Sequence, residues 1–195
     1  MKLIFLRHGQ TDWNVQRRIQ GCQDTELNQT GREQIKRIAV ETKEPWQVSR
    51  IISSPLARAR QSADIFSSVH QVPVSVSRFF RERHFGFLEG QSIEDIERKY
   101  LIDCEEIPDS RFGMEPLDQV KVRVIKGINM LKETHQKQTL LIITHGSIIK
   151  LLGNIYGYDM GIITNGGYIE LELNDENSFW WDSYYMDKFE DMRKF

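Results

Sequence analysis

Two cysteines, Cys22 and Cys104, are the only thiols in a chain of 195 residues, and they stand far apart with no CxxC pair. That argues against a disulfide framework or a zinc site and leaves two free thiols. Long apolar runs are missing too. Nothing approaches the ~20 residues that span a bilayer, and Leu3 to Leu6 is too short for the apolar core of a secretion signal. The chain is therefore expected in the cytoplasm with no membrane partner, and Asn28-Gln29-Thr30 reads as a chance match to the glycosylation pattern. Charge of one sign is not in excess: 26 basic and 28 acidic residues leave a formal net charge of -2, with no basic run of five or more. A nucleic-acid partner is not expected. Linkers and low-complexity tracts are also absent, so a single domain over 1–195 is expected, with 186–195 a charged surface tail.

Several phosphate-handling motifs are lacking as well. There is no GxxxxGK[ST] loop and no GxSxG elbow, and no DxD step of the kind an aspartate-based phosphatase carries. Cys104 and Arg111 miss the CxxxxxR spacing of a cysteine-based one. What is present is a repeated junction: Leu3 to Leu6 and Leu140 to Ile143 each lead into a histidine-glycine step, as Leu6-Arg7-His8-Gly9 and Thr144-His145-Gly146. Short apolar runs ending at a turn are typical of buried parallel strands, and ligands of open α/β sheets lie beyond the carboxyl ends of such strands. Two histidines are thus expected to face one pocket. Each following glycine removes a Cβ where the backbone turns and approaches a ligand, and Arg7 offers a planar donor fork suited to phosphate.

Elsewhere strand-like and helix-like segments alternate, which predicts an α/β fold of three layers, a mostly parallel central sheet with helices on both faces. Strands are predicted at 2–6, around Ile51-Ile52, at 74–76 and at 139–144. A further strand at 168–173 alternates Ile169, Leu171 and Leu173 with Glu170 and Glu172, implying one wet face near an edge, and 179–185 is expected to pair with it. Helices are predicted from Asn28 or Thr30 to Lys43, from Pro55 to Val69, from Ser92 to Tyr100, from Leu117 to Glu133 and from Ser147 to Tyr156. In the fourth of these Leu117, Val120, Val124, Ile128 and Leu131 repeat at helical spacing as a core stripe. The segments 7–27, 79–90 and 102–116 read as loops. His70 and His135 sit near helix ends, where a surface cation complements the helix dipole.

Cleaving a phosphate ester takes a nucleophile in line with phosphorus, cations on the nonbridging oxygens and an acid for the leaving alkoxide. His8 is the nucleophile candidate, since a neutral imidazole nitrogen attacks phosphorus without a metal. Arg7 and Arg58 would hold oxygens, Arg58 from the first turn of the helix after Ser53-Ser54-Pro55. His145 would stabilise charge on the transferring group. Glu82, within Arg81-Glu82-Arg83-His84-Phe85-Gly86, is the acid candidate; Glu89 competes with it, and Arg81 and Arg83 offer it an ordinary ion pair instead. No cofactor is expected. A two-histidine metal site is disfavoured because Arg7 would repel a divalent cation and no carboxylate-rich spacing accompanies the histidines.

These residues together resemble the histidine phosphatase superfamily in its phosphoglycerate mutase-like branch, over most of the chain from Leu3 to about Tyr168. The resemblance is carried by Leu6-Arg7-His8-Gly9-Gln10-Thr11-Asp12-Trp13-Asn14, continued by Ile19-Gln20-Gly21, then by Ser54-Pro55-Leu56-Ala57-Arg58-Ala59, Glu82-Arg83-His84-Phe85-Gly86 and Thr144-His145-Gly146. It implies that His8 is phosphorylated, Glu82 donates the proton, and His145, Arg7 and Arg58 form the phosphate pocket. Asn14, Gln20, Gly21 and Gly146 would add phosphate or substrate contacts. Gly113-Met114-Glu115-Pro116 replaces the Gly-Gly-Glu-Ser step of many relatives, a departure that bears on substrate preference. The stretch between Glu82 and His145 is shorter than in the mutases, which favours a compact hydrolase of small phosphorylated substrates. A phosphoglycerate mutase and a non-catalytic phospho-ligand sensor are the alternatives. The strand from Tyr168 and the aromatic residues of 179–185 offer an edge suited to a homodimer, with intramolecular packing as the competing reading.

Overall fold

In the computed structural model, which describes residues 1–100, 112–173 and the backbone of 179–185, the two apolar runs lie side by side at the centre of one sheet. β1 (Lys2–Arg7) pairs in parallel with β4 (Thr139–Thr144), in a register that sets Leu3 against Leu140 and Arg7 against Thr144. β2 (Arg50–Ser53) and β3 (Val74–Val76) extend the parallel part beyond β4. β5 (Tyr168–Leu173) and then β6 (Phe179–Tyr185) join antiparallel beyond β1, giving the order β3-β2-β4-β1-β5-β6.

The central strands have no polar alternation because both faces are covered. Leu3, Phe5, Leu140 and Ile142 pack with α5 (Leu117–Thr134) and α6 (Gly146–Ile155). Their neighbours Ile4, Leu6, Leu141 and Ile143 point the other way, onto α2 (Gln29–Trp46) and α3 (Ala57–His70). This is the predicted three-layer arrangement. α1 (Asp12–Val15) interrupts the long loop after β1, and α4 (Ile93–Tyr100) belongs to a third small cluster in which Leu88, Ile96, Phe112 and Met114 pack with Ile19 and Phe85. No helix among the described residues is long and apolar enough to cross a membrane.

Several boundaries depart from the sequence reading. Pro55 does not open α3: Leu56 occupies the cap position with extended backbone, and the Oδ1 of Asp24, from a distant loop, accepts the Ala57 N–H at 2.5 Å in place of a local cap. Arg58 nevertheless stays in the first turn. α2 is capped by Asn28, whose Oδ1 accepts from the Gly31 amide at 2.9 Å, rather than by Thr30. It runs past Lys43 through Pro45 to Trp46, because the buried Trp46 ring stacks on Phe66 and meets Tyr168 edge-on. Leu117 is half exposed and does not belong to the buried stripe, which begins at Val120. Of the two glutamates on the predicted wet face of β5, Glu172 is exposed as expected, whereas the Glu170 carboxylate is buried against Lys2 Nζ at 2.6 Å. His70 is not a surface cation either. Its Nε2 bonds the Ala39 carbonyl of α2 at 2.9 Å, and burial lowers its pKa, so a neutral ring ties α3 to α2. The tail 186–195 and residues 101–111 lie outside the described residues, as do the side chains of 179–185 on which the dimer reading rests.

Gly9 and Gly31 have a reason the sequence did not reveal. A Cβ on Gly9 would sit 2.5 Å from the Gly31 carbonyl oxygen, and one on Gly31 would collide with the backbone of Gln10. The glycine after His8 thus allows contact with α2 rather than with a ligand. Gly146 has room for a Cβ, whose nearest neighbour would be Arg7 Nε at 3.6 Å. Because both clashes are with backbone, Gly31→Ala is expected to destabilise the fold by about 1–3 kcal/mol, read as a lower midpoint in denaturant titration. A midpoint equal to that of the parent would contradict this close contact.

Candidate active site

The β1–β4 register carries the two histidines to the same end of the sheet. His8 follows Arg7 and His145 follows Thr144, and their rings stand edge-on with centroids 5.2 Å apart. The state of the His8 ring follows from its two bonds. Nδ1 lies 2.7 Å from the Gly9 carbonyl oxygen, which can only accept, so Nδ1 bears the proton. Nε2 accepts from the Arg58 Nε–H at 3.1 Å, so its lone pair is on the Arg58 side. Removal from water, then the nearby Arg58 charge, holds the pKa of both histidines well below the usual imidazole value, and both are neutral at neutral pH.

Arg58 is almost wholly buried. Its terminal nitrogens donate to the carbonyls of Gly21 at 2.8 Å and Gln23 at 2.7 Å, which straps the loop after β1 onto the start of α3. Arg7 donates through one terminal nitrogen to the Ile163 carbonyl, while its buried Nε has no partner among the described residues. Burial pushes the Arg7 pKa down to about 10, so it stays charged at neutral pH. Both guanidiniums therefore bring positive charge to a largely desolvated site, a setting that favours a bound anion.

Glu82 joins this site, and Glu89 does not. One Glu82 oxygen accepts from the Arg83 amide at 2.8 Å, and Ser147 stands beside the carboxyl and favours its charged form. Burial raises its pKa, outweighing the lowering effects of that amide, Arg58, Ser147 and Arg7. The flanking arginines are engaged with Glu115: Arg81 lies 3.8 Å from its carboxylate and Arg83 Nε donates to its carbonyl. Arg123 pairs with the Glu115 carboxylate at 2.8 Å and also donates to the carbonyls of Phe79, Arg81 and Glu82, fixing the acid loop. Glu89 spends its oxygens on the amides of Cys22 and Phe85 and on the Gln23 side chain. It clamps two loops together, and a Cβ on Gly21 would run into it.

A cavity of about 270 Å³ opens on Arg7, His8, Arg58 and Glu82, with Asn14, Gln20, Gly21 and Gly146 in its wall; of the two histidines expected to face it only His8 lines it, and His145 is wholly buried beside His8. The Asn14 Oδ1 is occupied by the Thr11 amide and by Asn165 Nδ2, and the Gln20 Oε1 by the Thr25 hydroxyl, so the amide nitrogens are the groups left for a ligand. Phe85 lines the cavity, whereas Phe87 is exposed. Sequence reasoning missed Arg18, Ser147, Lys150, Ile162 and Ile163 in the wall, and Asn165, which donates to the His8 carbonyl at 3.1 Å. The Asn165-Gly166-Gly167 run is a turn signal, but nothing local ties that turn to a histidine at the other end of the chain. Cys22 is a free, half-buried thiol whose pKa burial pushes up to about 11, so it stays un-ionised beside the site; Cys104 lies outside the described residues. Among the described residues no three His, Cys, Asp or Glu side chains converge as metal ligands.

Two neutral histidines beyond adjacent parallel strands, two buried guanidiniums and a carboxyl with a raised pKa define a protein equipped to handle a phosphoryl group. Residues 3–177 match the model of the histidine phosphatase superfamily (branch 1), and the chain belongs to that family. It is 33% identical over 160 residues to the uncharacterised phosphatase PhoE of Bacillus subtilis, covering 80% of this chain and 78% of that one. To phosphoglycerate mutase-like protein 4 of Arabidopsis thaliana it is 30% identical over 158 residues, 77% of this chain and 69% of the relative. Among solved structures, the mycobacterial glucosyl-3-phosphoglycerate phosphatase in complex with VO3 superposes with a TM-score of 0.81 at 26% identity, over 94% of this chain and 98% of that one.

Proposed function

We propose that this chain is a metal-independent phosphomonoesterase that hydrolyses small phosphorylated metabolites through a phosphohistidine on His8. The observation that carries this reading is the bonding of the His8 ring: the Gly9 carbonyl fixes the proton on Nδ1, which leaves the Nε2 lone pair as the attacking group beside Arg58. In the first step Nε2 bonds to phosphorus as the P–O bond to the leaving group breaks, and the protonated Glu82 carboxyl gives its proton to that oxygen. Arg7, Arg58 and His145 hold the nonbridging oxygens as charge moves onto them. In the second step water attacks phosphorus, the Glu82 carboxylate takes the proton, and the P–N bond breaks to free phosphate and the neutral imidazole.

The substrate class is supported by a cavity of about 270 Å³, which suits a phosphate on a small alcohol, and by a relative named for a phosphorylated glycerate derivative. The short stretch between Glu82 and His145 favours hydrolysis over retention of the intermediate in a mutase cycle. The test is phosphate release from an aryl phosphate and a panel of phosphorylated metabolites with a chelator present. Release is expected to continue at its chelator-free rate. Release abolished by the chelator, or exchange between 2- and 3-phosphoglycerate with no free phosphate, would overturn the assignment.

A further inference from the structure

Ser54 has no part in the chemistry described, yet it touches that chemistry directly. It follows β2, is wholly buried, and its Oγ lies 2.7 Å from His145 Nε2. Among the described residues this is the sole hydrogen bond of the His145 ring, since the buried Nδ1 has no partner. The other polar contact of the Ser54 hydroxyl is the Leu56 amide at 3.4 Å, itself a donor. A hydroxyl has one proton to give and two lone pairs to receive with. Leu56 uses a lone pair, so the acceptor within reach of the Ser54 proton is the His145 Nε2 lone pair. The opposite arrangement, with Nε2–H donating to serine, leaves the hydroxyl proton without an acceptor and a bare lone pair at Nδ1. That makes two unsatisfied buried groups where one suffices.

We infer that Ser54 is a positioning residue: it donates its hydroxyl proton to His145 Nε2, holds that ring in the Nδ1–H tautomer, and so makes His145 a neutral hydrogen-bond donor to a phosphoryl oxygen. The inference rests on the phosphohistidine reading above. It gives the two histidines one tautomer by two devices, the Gly9 carbonyl for His8 and the Ser54 hydroxyl for His145, yet opposite uses, because His8 works through its lone pair and His145 through its N–H. A neutral donor beside His8 adds no proton able to quench the nucleophile. The His145 Nδ1 and the Arg7 Nε are then two buried donors that bound phosphate would satisfy together.

The test is a long-range ¹⁵N–¹H correlation spectrum of the histidine rings in the full chain, with His145 assigned through His145→Gln. The parent is expected to show Nδ1–H at His145. In Ser54→Ala the ring should move toward Nε2–H, while inhibition by inorganic phosphate weakens and kcat falls, each by about 10-fold for one lost oriented donor. Ser54→Thr, which keeps the hydroxyl, should restore the spectrum. Nε2–H at His145 in the parent overturns the inference even in an active phosphatase, and so does a His145 spectrum that Ser54→Ala leaves unchanged. Should Ser54→Ala fail to fold, the parent spectrum decides alone. Failure of chelator-resistant phosphate release would instead sink the phosphatase reading and leave the tautomer measurement standing.

Discussion

His8→Ala is expected to lose about 10⁴-fold or more in kcat, with no acid-labile phosphoryl label on the protein after rapid quench. The magnitude follows from what is removed. The Nε2 lone pair is the only protein nucleophile the proposed reaction uses, and the nearby Cys22 thiol is held un-ionised by burial. The loss should not reflect unfolding, because Arg58 keeps its bonds to the Gly21 and Gln23 carbonyls and continues to strap the loop to α3. Melting of the variant near the parent temperature, together with absent label, would separate the two causes. Turnover within tenfold of the parent would end the phosphohistidine assignment.

Glu82→Gln should lower kcat by about 10²–10⁴-fold on alkyl phosphates and far less on aryl phosphates, whose leaving group needs no proton. The sign of the pH dependence is set by the shifts at the site. The first step needs Glu82 protonated, and burial raises its pKa; a bound phosphate dianion raises it further as a like charge. In the parent, kcat should therefore fall as pH rises through that raised pKa. At the other end His8 must be neutral, and burial beside Arg58 and Arg7 lowers its pKa, so the acidic limb should lie below the ordinary imidazole range. Loss of the alkaline limb in Glu82→Gln, with the acidic limb kept, is the expected profile. An equal loss on aryl and alkyl esters, with both limbs intact, would remove Glu82 from the acid role.

Much of this was legible without coordinates because it depends on local pattern. Leu3 to Leu6 and Leu140 to Ile143 are apolar at every position, which fits strands covered on both faces, and each ends two positions before its histidine. Arg58 lies in a helix start, as the apolar period that follows it predicts, even though Pro55 lies ahead of the helix. Local pattern alone does not separate Glu82 from Glu89; the choice of Glu82 rests on the resemblance of Glu82-Arg83-His84-Phe85-Gly86 to the family's acid segment. Both are acidic residues in one loop, and what separates them is that Cys22, Gln23 and Phe85 occupy Glu89 while Glu82 turns to the cavity. Glu170 departs from its neighbour Glu172 for a related reason: alternation marks the wet face, on which Glu172 is exposed, but not the cation Lys2 that the fold sets against Glu170.

The sequence by itself determined the layered α/β fold, the two histidine-bearing strand ends and the arginines that go with them, because side-chain periodicity and strand-end position are properties of short segments. Tertiary structure alone decided that Glu89 is spent on loop contacts, why Gly9 must be glycine, and which ring nitrogens carry protons. Those outcomes depend on hydrogen-bond partners and on the exclusion of water, and the chain brings Gly31 to Gly9, Ser54 to His145 and Asn165 to His8 only when it folds.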